Sequence, residues 1–190
     1  MIVPEGYQKL RSLPEDPEGS ITYGKQTEGS VCVFTIFPIN REDAMDFDDK
    51  EEIIAGIHKA LAGNQALIEV DGGKFISGKP FIYSIIKTQT DNGMQYFLLM
   101  HIKWQNAVLA VRAFCDECGI TGKRDTTIYA LYSKQYPDLT MDDWFCDPYD
   151  KEFKADFMMN ISEQAKYDEL FPTHPLTECR QIVKFFKENF

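Results

Sequence analysis

Between residues 95 and 104 the chain reads QYFLLMHIKW. With the two-residue period of a strand, Tyr96, Leu98, Met100, Ile102 and Trp104 share one side, and Phe97, Leu99, His101 and Lys103 the other. Both sides begin apolar. The next run, AVLAVRAF, repeats the pattern with Val108 and Ala110 opposite Leu109 and Val111. A strand with one wet side alternates apolar and polar residues, so strands apolar on both sides belong to a sheet covered on both. ALIEV and PFIYSIIKT precede these runs, and Asn92-Gly93 predicts a tight hairpin that makes its flanking strands antiparallel. Upstream, ITYGKQ and VCVFTIFPI flank the turn TEGS and read as two further strands. The pattern predicts an α+β fold with a central antiparallel sheet of about six strands and helices on both faces.

Three segments carry the longer period of a helix. Asp49 and Glu52 fit a capping box ahead of Ile53, Ile54, Ile57 and Leu61, which share one side, with Gly63-Asn64 as the stop. KRDTTIYALYSKQ follows Gly122 and turns Ile128, Leu131 and Tyr132 inward. HPLTECRQIVKFFKENF starts near Pro175 and lines up Leu176, Cys179, Val183 and Phe186.

The texture changes after Tyr136-Pro137. Residues 138–190 hold twelve acidic and six basic residues, more than half of the chain's net charge of −10. They are also dense in aromatics and methionine, which a free acidic tail would not expose. The expected organisation is a main domain over 1–137 and an ordered extension over 138–190. Trp144, Phe145, Tyr149, Phe153, Phe157 and Phe171 are the side chains expected to dock the extension or to meet a partner.

With 44% apolar and 26% charged residues, the composition is that of a globular protein. The acidic balance argues against nucleic acid or an anionic membrane as partner. The first twenty residues have no apolar signal-like core, and no stretch approaches the roughly 18 apolar residues of a spanning helix. Five cysteines without an export signal read as reduced thiols, so the expected compartment is the cytoplasm.

Candidate chemistry concentrates in AFCDECGITGKRDTTIY, residues 113–129. Cys115 and Cys118 supply two of the four ligands of a structural zinc; Cys146 is a third candidate, and no second Cys-x-x-Cys completes the set. As a redox pair, the two thiols have Asp116 and Glu117 beside them, and negative charge raises a thiol pKa. The run from Gly119 to Lys123 resembles the end of a phosphate loop, but Arg124 stands where the hydroxyl belongs. His58, His101 and His174 form no recognisable catalytic set; Cys115 or Cys118 with His101 is the nearest to one. Asp142, Asp143, Asp147 and Asp150 lack the glycine and terminal glutamate of a calcium loop. The residues therefore point to a tight strand-to-helix connection, with no catalytic residue, metal or cofactor, and they leave the oligomeric state open.

Two early strands, an acid-capped helix, antiparallel strands with a tight hairpin, and GITGKRDTTIYAL entering a helix together resemble the Mog/PsbP-like superfamily over residues 3–135. That superfamily includes small bacterial families, among them the adaptor-chaperones of type VI secretion. The resemblance implies a non-enzymatic module that binds another protein, with GITGKRDTTIYAL as structural turn and helix. Two other functions remain open on the residues: immunity against a basic toxin, through charge complementarity, and an enzyme with a dispersed thiol site. Elemental analysis of the purified protein is expected to find zinc far below stoichiometry. A full equivalent would make Cys115, Cys118 and Cys146 ligands.

Overall fold

The computed structural model describes residues 3–105 and 107–190. Seven strands form one antiparallel sheet: β1 (Gln8–Lys9), β2 (Ile21–Gln26), β3 (Ser30–Ile39), β4 (Gln65–Lys74), β5 (Pro80–Thr90), β6 (Gly93–Trp104) and β7 (Ala107–Glu117). Their order across the sheet is β1-β2-β3-β7-β6-β5-β4. The helices are α1 (Lys50–Ala60), α2 (Lys123–Gln135), α3 (Met141–Trp144) and α4 (Pro175–Asn189), and short 3-10 turns span Ile161–Glu163 and Ala165–Leu170. The architecture is α+β with a central antiparallel sheet, as the alternation predicts. The added strand, β1, is a two-residue edge inside the proline-rich lead-in.

Register fixes what each sheet face carries. Cys32, Cys115 and Tyr96 lie side by side across β3, β7 and β6, as do Phe34, Ala113 and Leu98, and Ile36, Val111 and Met100. This inner face is covered by α4, whose Leu176, Cys179, Ile182, Val183 and Phe186 join it in one continuous core. The outer face holds Leu67, Val70 and Ile82 of β4 and β5, on which α1 lays Ile53, Ile54 and Ile57. A third cluster, Ile128, Trp144 and Ile161, joins α2 to the chain beyond residue 138.

Local signals explain most boundaries. Asp49 caps α1 by accepting the Glu52 N–H at 2.8 Å, although the helix ends at Ala60, before Gly63-Asn64. Asn64 instead clips β4 to β5 by donating its side-chain amide to the Gln89 carbonyl. The hairpin pairs Thr90 with Gly93, so Asp91-Asn92 form the turn and Gly93 takes φ of 128° at its exit. In α2 the expected inward set is only part of what occurs. Ile128 is buried, but Leu131 is 58% exposed, because α2 packs on the 161–163 turn along a narrow side.

Phe186 is 1% exposed and meets Phe34 edge-on across the core. Phe186→Ala is expected to cost about 3–5 kcal/mol in urea unfolding. Leu131→Ala, at the outward position, should stay within about 0.5 kcal/mol.

Candidate functional site

The strand-to-helix stretch is assembled by hydrogen bonds rather than around a ligand. Gly119 has φ of 68°, and a Cβ there would come 2.6 Å from the Glu28 carbonyl oxygen, so glycine is required. Gly122, also left-handed, begins α2, and its N–H donates to Glu117 Oε1 at 2.7 Å. Arg124 is 1% exposed. It donates to the carbonyls of Ser162 (2.7 Å) and Gln164 (3.1 Å), to Thr177 Oγ1 (3.2 Å) and to Asp168 (2.9 Å). Four of its five N–H donors are thus engaged inside the fold.

The thiols are not brought to His101. Cys115 points into the inner face beside Cys32 and Cys179, whereas His101 lies on the outer face opposite Ala110. Burial pushes the Cys115 thiol up, followed by its two neighbouring thiols. Asp116 and Glu117 are not the cause: Asp116 sits on the opposite face and accepts from Gln95, and Glu117 holds the Gly122 and Met94 N–H groups. Cys118 leans on the Thr27 and Glu28 carbonyls, and the half-buried Cys146 lies in the extension, its own thiol raised chiefly by burial. Among the described residues, no group of three or more His, Cys, Asp or Glu side chains is placed to hold a metal ion. The acidic run is divided among separate tasks. Asp143 closes the capping box of α3 by accepting the Thr140 N–H, Asp147 meets His58 at 2.8 Å, and Asp150 accepts the Glu152 N–H.

A buried ionic network, not evident from sequence, ties the extension to the sheet. Lys87, on the inner face of β5, donates to Glu163 at 2.8 Å, with both side chains at most 2% exposed. Tyr96 Oη–H donates to Glu163 at 2.7 Å, and burial pushes that phenol well up. Asp125 of α2 accepts from Ser162 and Asn160; burial first, then Glu163, raises its carboxyl. Arg180 of α4 completes the set by bridging Glu69 of β4 at 2.8 Å and Asp168 at 3.0 Å. The signal was a lysine at an inward position of PFIYSIIKT, since a charge there needs a partner.

The aromatics of the extension take different roles. Trp144 is buried with Tyr129 edge-on at 5.0 Å, and Phe171 packs beneath Arg124. Phe153 stacks on His58 at 4.2 Å, and Phe157 lies under the Lys87 ammonium at 4.6 Å. The Tyr149 hydroxyl donates to the Val70 carbonyl at 2.9 Å, occupying the free edge of β4 beside its bulge. Phe145 remains 38% exposed on the wall of a hollow of about 210 Å³ shared with Met141 and Phe157. Another hollow, of about 600 Å³, lies between residues 41–48 and the β6–β7 turn; its described lining carries no thiol or imidazole.

The feature that the fold leaves unused is on the outer face. Val31, Val33 and Phe37 of β3, Phe114 of β7, and Phe97 and Leu99 of β6 form a strip that belongs to none of the three core clusters. Phe114 is 39% exposed and lies 4.9 Å from Phe97. Arg112 stands in the middle, its guanidinium 5.2 Å from the Phe37 ring and 5.9 Å from that of Phe114. Helices do lie on both faces, but on the outer one α1 covers only the β4–β5 side.

No protein-family model matches the chain, and no curated protein matches it. Among solved structures, PA94 from Pseudomonas aeruginosa, a protein of unknown function, is similar at a TM-score of 0.40 and 10% identity. The match covers 70% of this chain and 96% of that one. At this level the likeness carries no argument, and function is read from this chain's own surface. Among the described residues, no helix is long and apolar enough to cross a membrane.

Two histidines give the fold an acid-side weakness. His174 caps α4, its Nδ1 accepting the Leu176 N–H at 3.2 Å. Burial, then Arg124 and Arg180, lower its pKa to about 3, so its 3.9 Å approach to Glu117 is not an ion pair at neutral pH. His101 accepts the Met45 N–H, and burial lowers it to about 4. In the unfolded chain both imidazoles protonate near pH 6.5. The stability they allow is therefore complete above that value, and is lost as pH falls from 6.5 toward about 4 for His101 and about 3 for His174. His174→Asn keeps a capping acceptor and removes one titration. Between pH 7 and 4.5 it is expected to lose about 2–3 kcal/mol less stability than wild type in urea unfolding. Equal losses would show that His174 does not stay neutral.

Proposed function

We propose that this chain is a non-enzymatic adaptor or binding module that works in the cytoplasm, and that it holds its protein partner on the outer strip of β3, β7 and β6. The observation that carries this reading is Phe97, Phe114, Phe37, Val31, Val33 and Leu99 lying together without a covering element among the described residues. Uncovered apolar patches of this kind mark interaction surfaces in folded proteins. The resemblance to the Mog/PsbP-like superfamily, and through it to adaptor-chaperones, supports the same class. The net charge of −10 speaks against a nucleic-acid partner. The charge at the centre of the strip, Arg112, is positive, which favours an adaptor over an immunity protein aimed at a basic toxin.

Photo-crosslinking in cells tests this. Benzoylphenylalanine in place of Phe114 is expected to give a discrete protein adduct that survives high salt. The same group in place of Ile76, on an exposed turn away from the strip, should give none. Phe97→Ser combined with Leu99→Ser should abolish the adduct. Equal yields at the two positions, or none at either, would overturn the reading.

A further inference from the structure

The outer strip has the dimensions and the charge of a specific occupant. Its outer strands, β3 and β6, are two inter-strand steps apart, about 10 Å, close to the ~10–12 Å diameter of one α-helix. It is bounded on one side by α1 and on the other by Leu10, whose side chain lies over Gly24 of β2. Three strands with about three outward residues each give an area of roughly 300 Å². A stable dimer needs about 800 Å² from each partner, and two copies here would oppose Arg112 to Arg112 on molecules of net charge −10. A second copy is therefore a poor fit, and a single helix is a good one.

Arg112 adds the chemistry. Among the described residues it takes part in no salt bridge and makes no side-chain hydrogen bond; its guanidinium rests between Phe37 and Phe114. The nearest acid on its own strand and face, Asp116, is bonded to Gln95. Phe37 and Phe114 hold the planar fork without using its N–H donors, so those donors remain for a ligand. When a helix covers the strip it removes water from Arg112, and a covered cation without a partner is strongly unfavourable. We infer that the strip takes one amphipathic helix of a partner protein, and that Arg112 selects helices with a carboxylate set in their apolar side. The aromatic and aliphatic residues supply contact area; Arg112 supplies the discrimination.

This rests on the protein-binding reading, and the experiment separates the two. The probes are a synthetic leucine–alanine helical peptide with one glutamate centred in its leucine side, and its glutamine twin. Each is titrated into the full-length protein while backbone amide resonances are followed. Both peptides are expected to shift the Val33, Phe97, Arg112 and Phe114 amides. The glutamate peptide should bind about tenfold tighter, the lower end for a charge-assisted hydrogen bond. In Arg112→Gln, with its melting temperature unchanged, the two peptides should bind alike. Equal affinities in the wild type would overturn the carboxylate selection while leaving the binding surface standing. No shift of the strip amides with either peptide would overturn both. Sedimentation showing a dimer that Phe114→Ser dissociates would make a second copy the occupant, and would also overturn the inference.

Discussion

The ammonium of Lys87 sets the constraint on which the rest of the molecule depends. It points into the inner face of the sheet, where solvent cannot reach it. An isolated charge there would cost several kcal/mol, so an acid must arrive with it. That acid is Glu163, far along the chain, and Tyr96 and the Asn160 N–H occupy its remaining acceptor positions. Bringing Glu163 to β5 lays the 158–163 segment across the sheet. Asp168 then falls between Arg124 and Arg180, and α4 comes to rest along the core. A buried pair of this kind adds little net stability over apolar residues of the same volume, whereas breaking it leaves a bare charge. Its contribution is to location: the chain beyond residue 138 has one place to go.

How far the sequence foretold this depended on whether the controlling interaction was local. Residues 123–135 were legible as a helix from their own apolar spacing, and the left-handed Gly122 begins it there. The β5–β6 hairpin and the α4 stripe were legible for the same reason: turn chemistry and periodicity are written within a few residues. The pairing of Lys87 with Glu163 was not legible. Parity places the lysine inward, but nothing nearby names a partner 76 residues away. Cys115 and His101 looked like neighbours because their strands are adjacent, yet period-two alternation sends them to opposite faces. The partial cover of the outer face was equally hidden, since alternation shows that a side is apolar and not what lies over it.

The two faces of the sheet treat a cation in opposite ways. Lys87 is matched from within, by a carboxylate the chain itself delivers. Arg112 on the reverse is stacked between rings and, among the described residues, has no acid paired with it. Stability is concentrated on the side that α4 closes, while the side that α1 half covers keeps apolar surface and the Arg112 donors, which no described residue takes up. The division fits a rigid platform whose inner half need not change when the outer half is occupied. Tyr149 serves the same platform at its edge: by occupying the β4 backbone at Val70, it removes a position to which a foreign strand could add.

The placement of α4 also bears on how the protein is made. The seven strands are complete at Glu117, but the last fully buried residue of the helix that closes their inner face is Phe186. A ribosome adding roughly 5–20 residues per second needs several seconds to cover that interval. During it a broad sheet of valine, leucine, methionine and phenylalanine has no permanent cover. Nascent chains are thus vulnerable to aggregation while the residues after Glu117 are being added, and a slow codon between residues 118 and 175 would lengthen that vulnerable period without altering a single side chain.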